Sequence, residues 1–115
     1  MRAPFLAVVL LAAACAPAAA PQPPPADVRI ISTNDFSDHA ITVPAGGSVK
    51  WTNDSAVAHT VTFTDALRIP SDNGTFNKRV EPGASVTRAF PTAGTYAFFC
   101  MIHPGMQGTV TVASR

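Results

Sequence analysis

Three side chains able to hold a soft or borderline metal fall close together near the C-terminus: Cys100, His103 and Met106. They supply a thiolate, an imidazole and a thioether at the spacing Cys-x2-His-x2-Met, directly after a strand-like run ending in Phe98-Phe99. A second imidazole would complete two nitrogen donors, one strong sulfur and one weak sulfur. That set suits a single copper ion passing between its two oxidation states in one fixed geometry. The chain has three histidines, and His59, which opens another alternating run, stands where the second imidazole is needed. His39 lies among Asp35, Ser37 and Asp38 and is expected to be exposed and non-ligating.

Taken singly, each residue has a plainer reading. His59 could be a half-buried histidine, Cys100 a small core residue and Met106 core filler. The joint spacing and the strand placement favour a metal site. His59 and Cys100 are far apart in sequence, so they meet only if the strands that carry them lie side by side at one end of the fold. Cys100, His103 and Met106 come from one loop, and Pro104-Gly105 permits the bend that returns Met106 toward the metal.

The elements that must position these groups read as β-strands. Alternation and turn signals predict strands over Val28–Ser32, Ile41–Val43, Ser48–Thr52, His59–Thr64, Thr75–Val80, Ser85–Phe90, Thr95–Cys100 and Gln107–Ala113. Val49 and Trp51 share a face, with Trp51 as core anchor. His59, Val61 and Phe63 point one way and Thr60, Thr62 and Thr64 the other; Tyr96, Phe98 and Cys100 again share a face, and Val110 and Val112 point inward. Asp65 to Gly74, with Pro70 and Asp72-Asn73-Gly74, reads as irregular. The fold class is therefore all-β, a β-sandwich of seven or eight strands.

Residues 1–25 differ from the rest. Met1-Arg2 and the apolar run Phe5 to Ala14 read as an export signal, too short to span a bilayer. Two processing readings stand side by side: cleavage after Ala18-Ala19-Ala20, or a lipobox, Leu11-Ala12-Ala13-Ala14-Cys15, that makes Cys15 a lipid anchor. The lipobox is imperfect at Ala12, yet it accounts for a lone cysteine at that place. Pro17, Pro21, Pro23, Pro24 and Pro25 then make an extended tether ahead of one domain, residues 26–115. The expected location is the bacterial periplasm, with membrane anchoring if Cys15 is acylated.

Composition narrows the partners. Charged residues make up only 13% of the chain and the formal net charge is +1, with no basic stripe, so nucleic acid is excluded as a partner and docking should rest on apolar contact. Met101, Ile102 and Pro104 are candidates for an apolar rim beside His103, or plain loop packing. A monomer is expected. With Cys15 in the leader and Cys100 in the ligand run, a disulfide is the weaker reading of the two cysteines.

From about Ile41 to Val112 the chain resembles the cupredoxins, most closely the plastocyanin and amicyanin branch. The resemblance rests on Val49-Lys50-Trp51-Thr52-Asn53, His59-Thr60-Val61, Ala93-Gly94-Thr95-Tyr96 and the run Cys100 to Met106, whose short spacing looks like that of amicyanin. It implies a Greek-key sandwich, one type 1 copper ion held equatorially by His59, Cys100 and His103 and axially by Met106, and one-electron transfer to redox partner proteins. One position departs from the pattern: many members carry Asn directly after the first ligand histidine, where it ties the ligand loops together, and this chain has Thr60. The same ligands would also serve copper delivery or buffering, although the domain lacks Met-rich or His-rich segments; a metal-free accessory sandwich is the third reading. Enzymatic activity is not expected, because four protein ligands leave no open metal position and no hydrolytic triad or carboxylate pair stands out.

Overall fold

A computed structural model of the chain describes residues 3–4, 23–64 and 76–114. The lipobox with Cys15, the alternative cleavage site and the segment Asp65–Gly74 lie outside the described residues. Eight strands are present: β1 Ala26–Ile30, β2 Ala40–Pro44, β3 Gly47–Asn53, β4 His59–Phe63, β5 Asn77–Val80, β6 Ser85–Phe90, β7 Gly94–Phe99 and β8 Gln107–Ala113. They form a three-stranded sheet, β1-β3-β6, and a five-stranded sheet, β2-β8-β7-β4-β5. The chain changes sheet at β1–β2, β2–β3, β3–β4, β5–β6 and β6–β7, which is the crossover pattern of a Greek-key sandwich.

The inner faces explain why this sequence closes. In β3 the alternation buries Val49 and Trp51 completely, and in β8 it buries Val110 and Val112. Trp51 packs edge-to-face on Phe63 and Phe98 with centroids 5.7 and 5.3 Å apart, so one side chain joins the two sheets. Arg88 of β6 lays its guanidinium 4.2 Å from the centre of the Phe63 ring, covering the aromatic core from the opposite sheet.

Most strand ends shift by one or two residues from the sequence expectation, and the position of the first strand and the burial of β4 have physical reasons. The first strand runs two residues earlier, Ala26–Ile30, and leaves Ile31 exposed. Its parallel register with β3 ends at Ile30↔Asn53, and the Ile31 N–H donates to the Asp35 carbonyl, so the chain leaves the sheet there to close a short loop. In β4 both faces are buried: Thr60 and Thr62 are enclosed along with their apolar neighbours, Thr62 completely, against an expectation that placed them opposite the core face. Their hydroxyls make this burial tolerable. Thr62 Oγ1 donates to Asn77 Oδ1 at 2.9 Å, which commits its only proton, so Thr60 Oγ1 donates to Thr62 Oγ1 at 3.1 Å.

Candidate metal centre

Strand pairing brings the candidate ligands together. β4 and β7 are antiparallel with Thr62↔Phe99 and Phe63↔Phe98, so the start of β4 lies beside the end of β7. His59 is the first residue of β4 and Cys100 the residue after β7. The loop that follows is pinned at its ends by the Cys100 N–H donating to the Met106 carbonyl at 2.9 Å. Gly105 turns it at φ 83, a left-handed conformation that side-chain-bearing residues rarely adopt.

The donor atoms of His59, Cys100 and His103 all lie within 4.8 Å of one another. Cys100 Sγ is 3.8 Å from His59 Nδ1 and 3.6 Å from His103 Nδ1. Thiolate–metal and imidazole–metal bonds of about 2.3 and 2.0–2.1 Å, set between tetrahedral and trigonal angles, require sulfur–nitrogen separations of about 3.5–3.8 Å. The site fits a metal ion of that size. Met106, buried at the returning end of the loop, adds a thioether on the same loop as Cys100 and His103. The mixed soft and intermediate set fits copper.

Burial is graded across the centre. His59 is fully enclosed, Cys100 is buried with a free thiol, and His103 is half-buried. Desolvation lowers the His59 pKa below the ordinary imidazole value, and the nearby His103 lowers it further, against the opposing effect of the Ser32 backbone as a hydrogen-bond acceptor for the ring. The ring is thus kept neutral, the form that binds a metal.

Three features around the donors bear on rigidity. The Thr60 N–H donates to Cys100 Sγ at 3.3 Å. The Met101 N–H donates to Thr60 Oγ1 at 2.8 Å, so Thr60 does tie the β4 side of the site to the ligand loop, accepting through its hydroxyl. Ahead of β4, the buried Asn53 side chain organises the turn that leads into His59. Its Nδ2 donates to the carbonyls of Val57 and Val80, and its Oδ1 accepts from the Ser55 N–H and hydroxyl. Sequence reasoning missed Ser55 and the part played by Asn53. The usable signal was Asn53-Asp54-Ser55, a side-chain-to-backbone turn signature four residues before the ligand.

His39 is exposed, as expected, and is outside the cluster. Its ring nitrogens lie 2.8 Å from the Gln107 carbonyl and 2.9 Å from Asp35 Oδ1. Met101 and Ile102 stand out at 57% and 43% exposure, joined by Val57 from the turn before β4.

A β-sandwich of this topology, with a cysteine, two histidines and a methionine gathered at one end, defines the cupredoxin class. Comparison agrees: residues 4–112 match the model of the cupredoxin-like domain family, and the chain belongs to that family. It is 37% identical to plastocyanin from Scenedesmus fuscus over 84 residues, 67% of this chain and 85% of that protein. It is 29% identical to amicyanin-alpha from Methylorubrum extorquens over 110 residues, covering 96% of this chain and 91% of the relative. Among solved structures, the purple cupredoxin from Nitrosopumilus maritimus superposes with a TM-score of 0.64 at 28% identity, over 76% of this chain and 99% of that one.

Proposed function

We propose that this chain is an exported blue-copper electron carrier in which His59, Cys100 and His103 bind one copper ion and Met106 is the fourth, weaker ligand. The observation that carries the reading is the convergence of one thiolate and two imidazole nitrogens at separations a single metal ion would satisfy. Copper supplies the one-electron couple. The protein supplies a frame that changes little between the two states: His59 on β4, Cys100 at the end of β7 and a loop closed on itself by the Cys100–Met106 bond. Kinship with plastocyanin and amicyanin supports the carrier reading.

Electrons would enter and leave at the half-buried His103, whose surroundings include the exposed Met101 and Ile102. That apolar rim, extended by Pro104, is where redox proteins would dock, consistent with the low charge of the chain. The leader and the proline-rich tether support export to the periplasm, with Cys15 as a lipid anchor that would hold the domain at a membrane surface.

Voltammetry of the copper-loaded chain, run beside a copper-transfer assay against a chelating acceptor, tests the role. Fast, reversible one-electron exchange with copper retained is the expected result. Ready release of copper to the acceptor with sluggish electron exchange would assign the protein to delivery or buffering instead.

A further inference from the structure

The His59 ring meets the site through Nδ1, and its other nitrogen faces Ser55. Ser55 Oγ lies 2.9 Å from His59 Nε2, 2.7 Å from Asn53 Oδ1 and 3.0 Å from the Val57 carbonyl. The orientation of the Asn53 amide is not free. Its nitrogen is spent on two carbonyls, Val57 and Val80, and its oxygen receives the Ser55 N–H at 2.9 Å. An Oδ1 so placed can only accept from the hydroxyl. If the Ser55 proton pointed at His59 instead, two oxygens would face each other at 2.7 Å with nothing between them.

The hydroxyl proton is therefore committed to an oxygen, and Ser55 Oγ can only accept from the ring. That places the imidazole proton on Nε2 and leaves the Nδ1 lone pair directed at the Cys100 side of the cluster, 3.8 Å from the sulfur. We propose that Ser55, held in register by the buried Asn53 amide, is a positioning residue that selects the metal-binding tautomer of His59 and fixes its ring for copper. The Ser32 backbone also faces the ring, so the question a test must answer is whether Ser55 adds to it. This inference rests on the copper reading for its consequence but not for its geometry.

The experiment compares the unaltered chain with Ser55→Ala and with Ser55→Thr, which keeps the hydroxyl. Nitrogen-15 NMR of the metal-free proteins at mildly alkaline pH reads the His59 tautomer directly. Competition with a chelator, using copper(II) alone as the probe, reads affinity. The expected result is an Nε2-protonated ring in the unaltered chain, a mixed or shifted ring signal in Ser55→Ala, and copper affinity lowered by about 10–100-fold in Ser55→Ala and restored in Ser55→Thr. An Nδ1-protonated ring in the unaltered chain overturns the proposal. So does a Ser55→Ala protein whose ring signal and copper affinity are unchanged. If Ser55→Ala does not fold, the ring signals of the unaltered and threonine proteins decide. Failure of the unaltered chain to bind copper would instead remove the proposed function while leaving the tautomer result standing.

Discussion

Thr60→Val is the substitution that most sharply separates a tied ligand loop from a merely adjacent one. Valine keeps the shape of threonine and removes the oxygen, so β4 keeps its packing while the Met101 N–H loses the acceptor it holds at 2.8 Å. Thr62 still donates to Asn77, so the relay is broken at one end only. A donor stranded in a part-buried position costs about 1–3 kcal/mol. The methyl that replaces the hydroxyl at this buried position returns up to about 0.8 kcal/mol. With the full return the net loss is about 0.2–2.2 kcal/mol, and in a domain of this size each kcal/mol lowers the melting temperature by about 4–8 °C. Denaturant unfolding of the metal-free protein reads this without interference from copper, and Thr60→Ser, which keeps the acceptor, should lose less. A Thr60→Val protein as stable as the parent, or more stable, would refute the claim that the hydroxyl ties the ligand loop to β4.

Two further predictions follow from burial and close packing. Because His59 has its pKa lowered by desolvation and by His103, the unfolded chain takes up a proton that the folded metal-free protein resists; stability is therefore fully present above the unfolded value of 6.5 and is lost as pH falls below it. Thermal melts of metal-free protein across that range check it, and melts that do not change with acidification contradict it. Gly108→Ala should destabilise, by about 1–3 kcal/mol, where an unstrained glycine-to-alanine change would help. A Cβ at Gly108 would run into the Phe98 ring and come 3.0 Å from the His39 carbonyl, and Phe98 is fixed edge-on against Phe36 and Trp51. Denaturant midpoints of the two proteins measure it, and an equal or higher midpoint for Gly108→Ala would contradict it.

Much of the frame could be read from residue order because alternation carries it. Trp51, Phe98, Val110 and Val112 fall on the inner faces that their parity predicts. Antiparallel pairing of β4 with β7 delivers His59 to Cys100, which the sequence required for those two residues to meet at all. Parity fails where both faces of a strand are enclosed. In β4, threonines look like solvent-facing residues, and only the partners of their hydroxyls, Asn77 and Met101, make their burial intelligible. Ser55 is a related case: the Asn53-Asp54-Ser55 turn is marked in the sequence, but the bearing of its hydroxyl on His59 is not. Its importance comes from a hydroxyl proton committed elsewhere, and that depends on where Asn53 points rather than on any spacing to the ligands.

The most direct test of the central claim is a copper(II) titration followed by visible absorption, with Cys100→Ser run in parallel. One equivalent of copper should give an intense visible thiolate-to-copper band that the serine protein lacks. No binding of copper in either oxidation state, or a band that survives in Cys100→Ser, would contradict the assignment of His59, Cys100, His103 and Met106 as a copper centre.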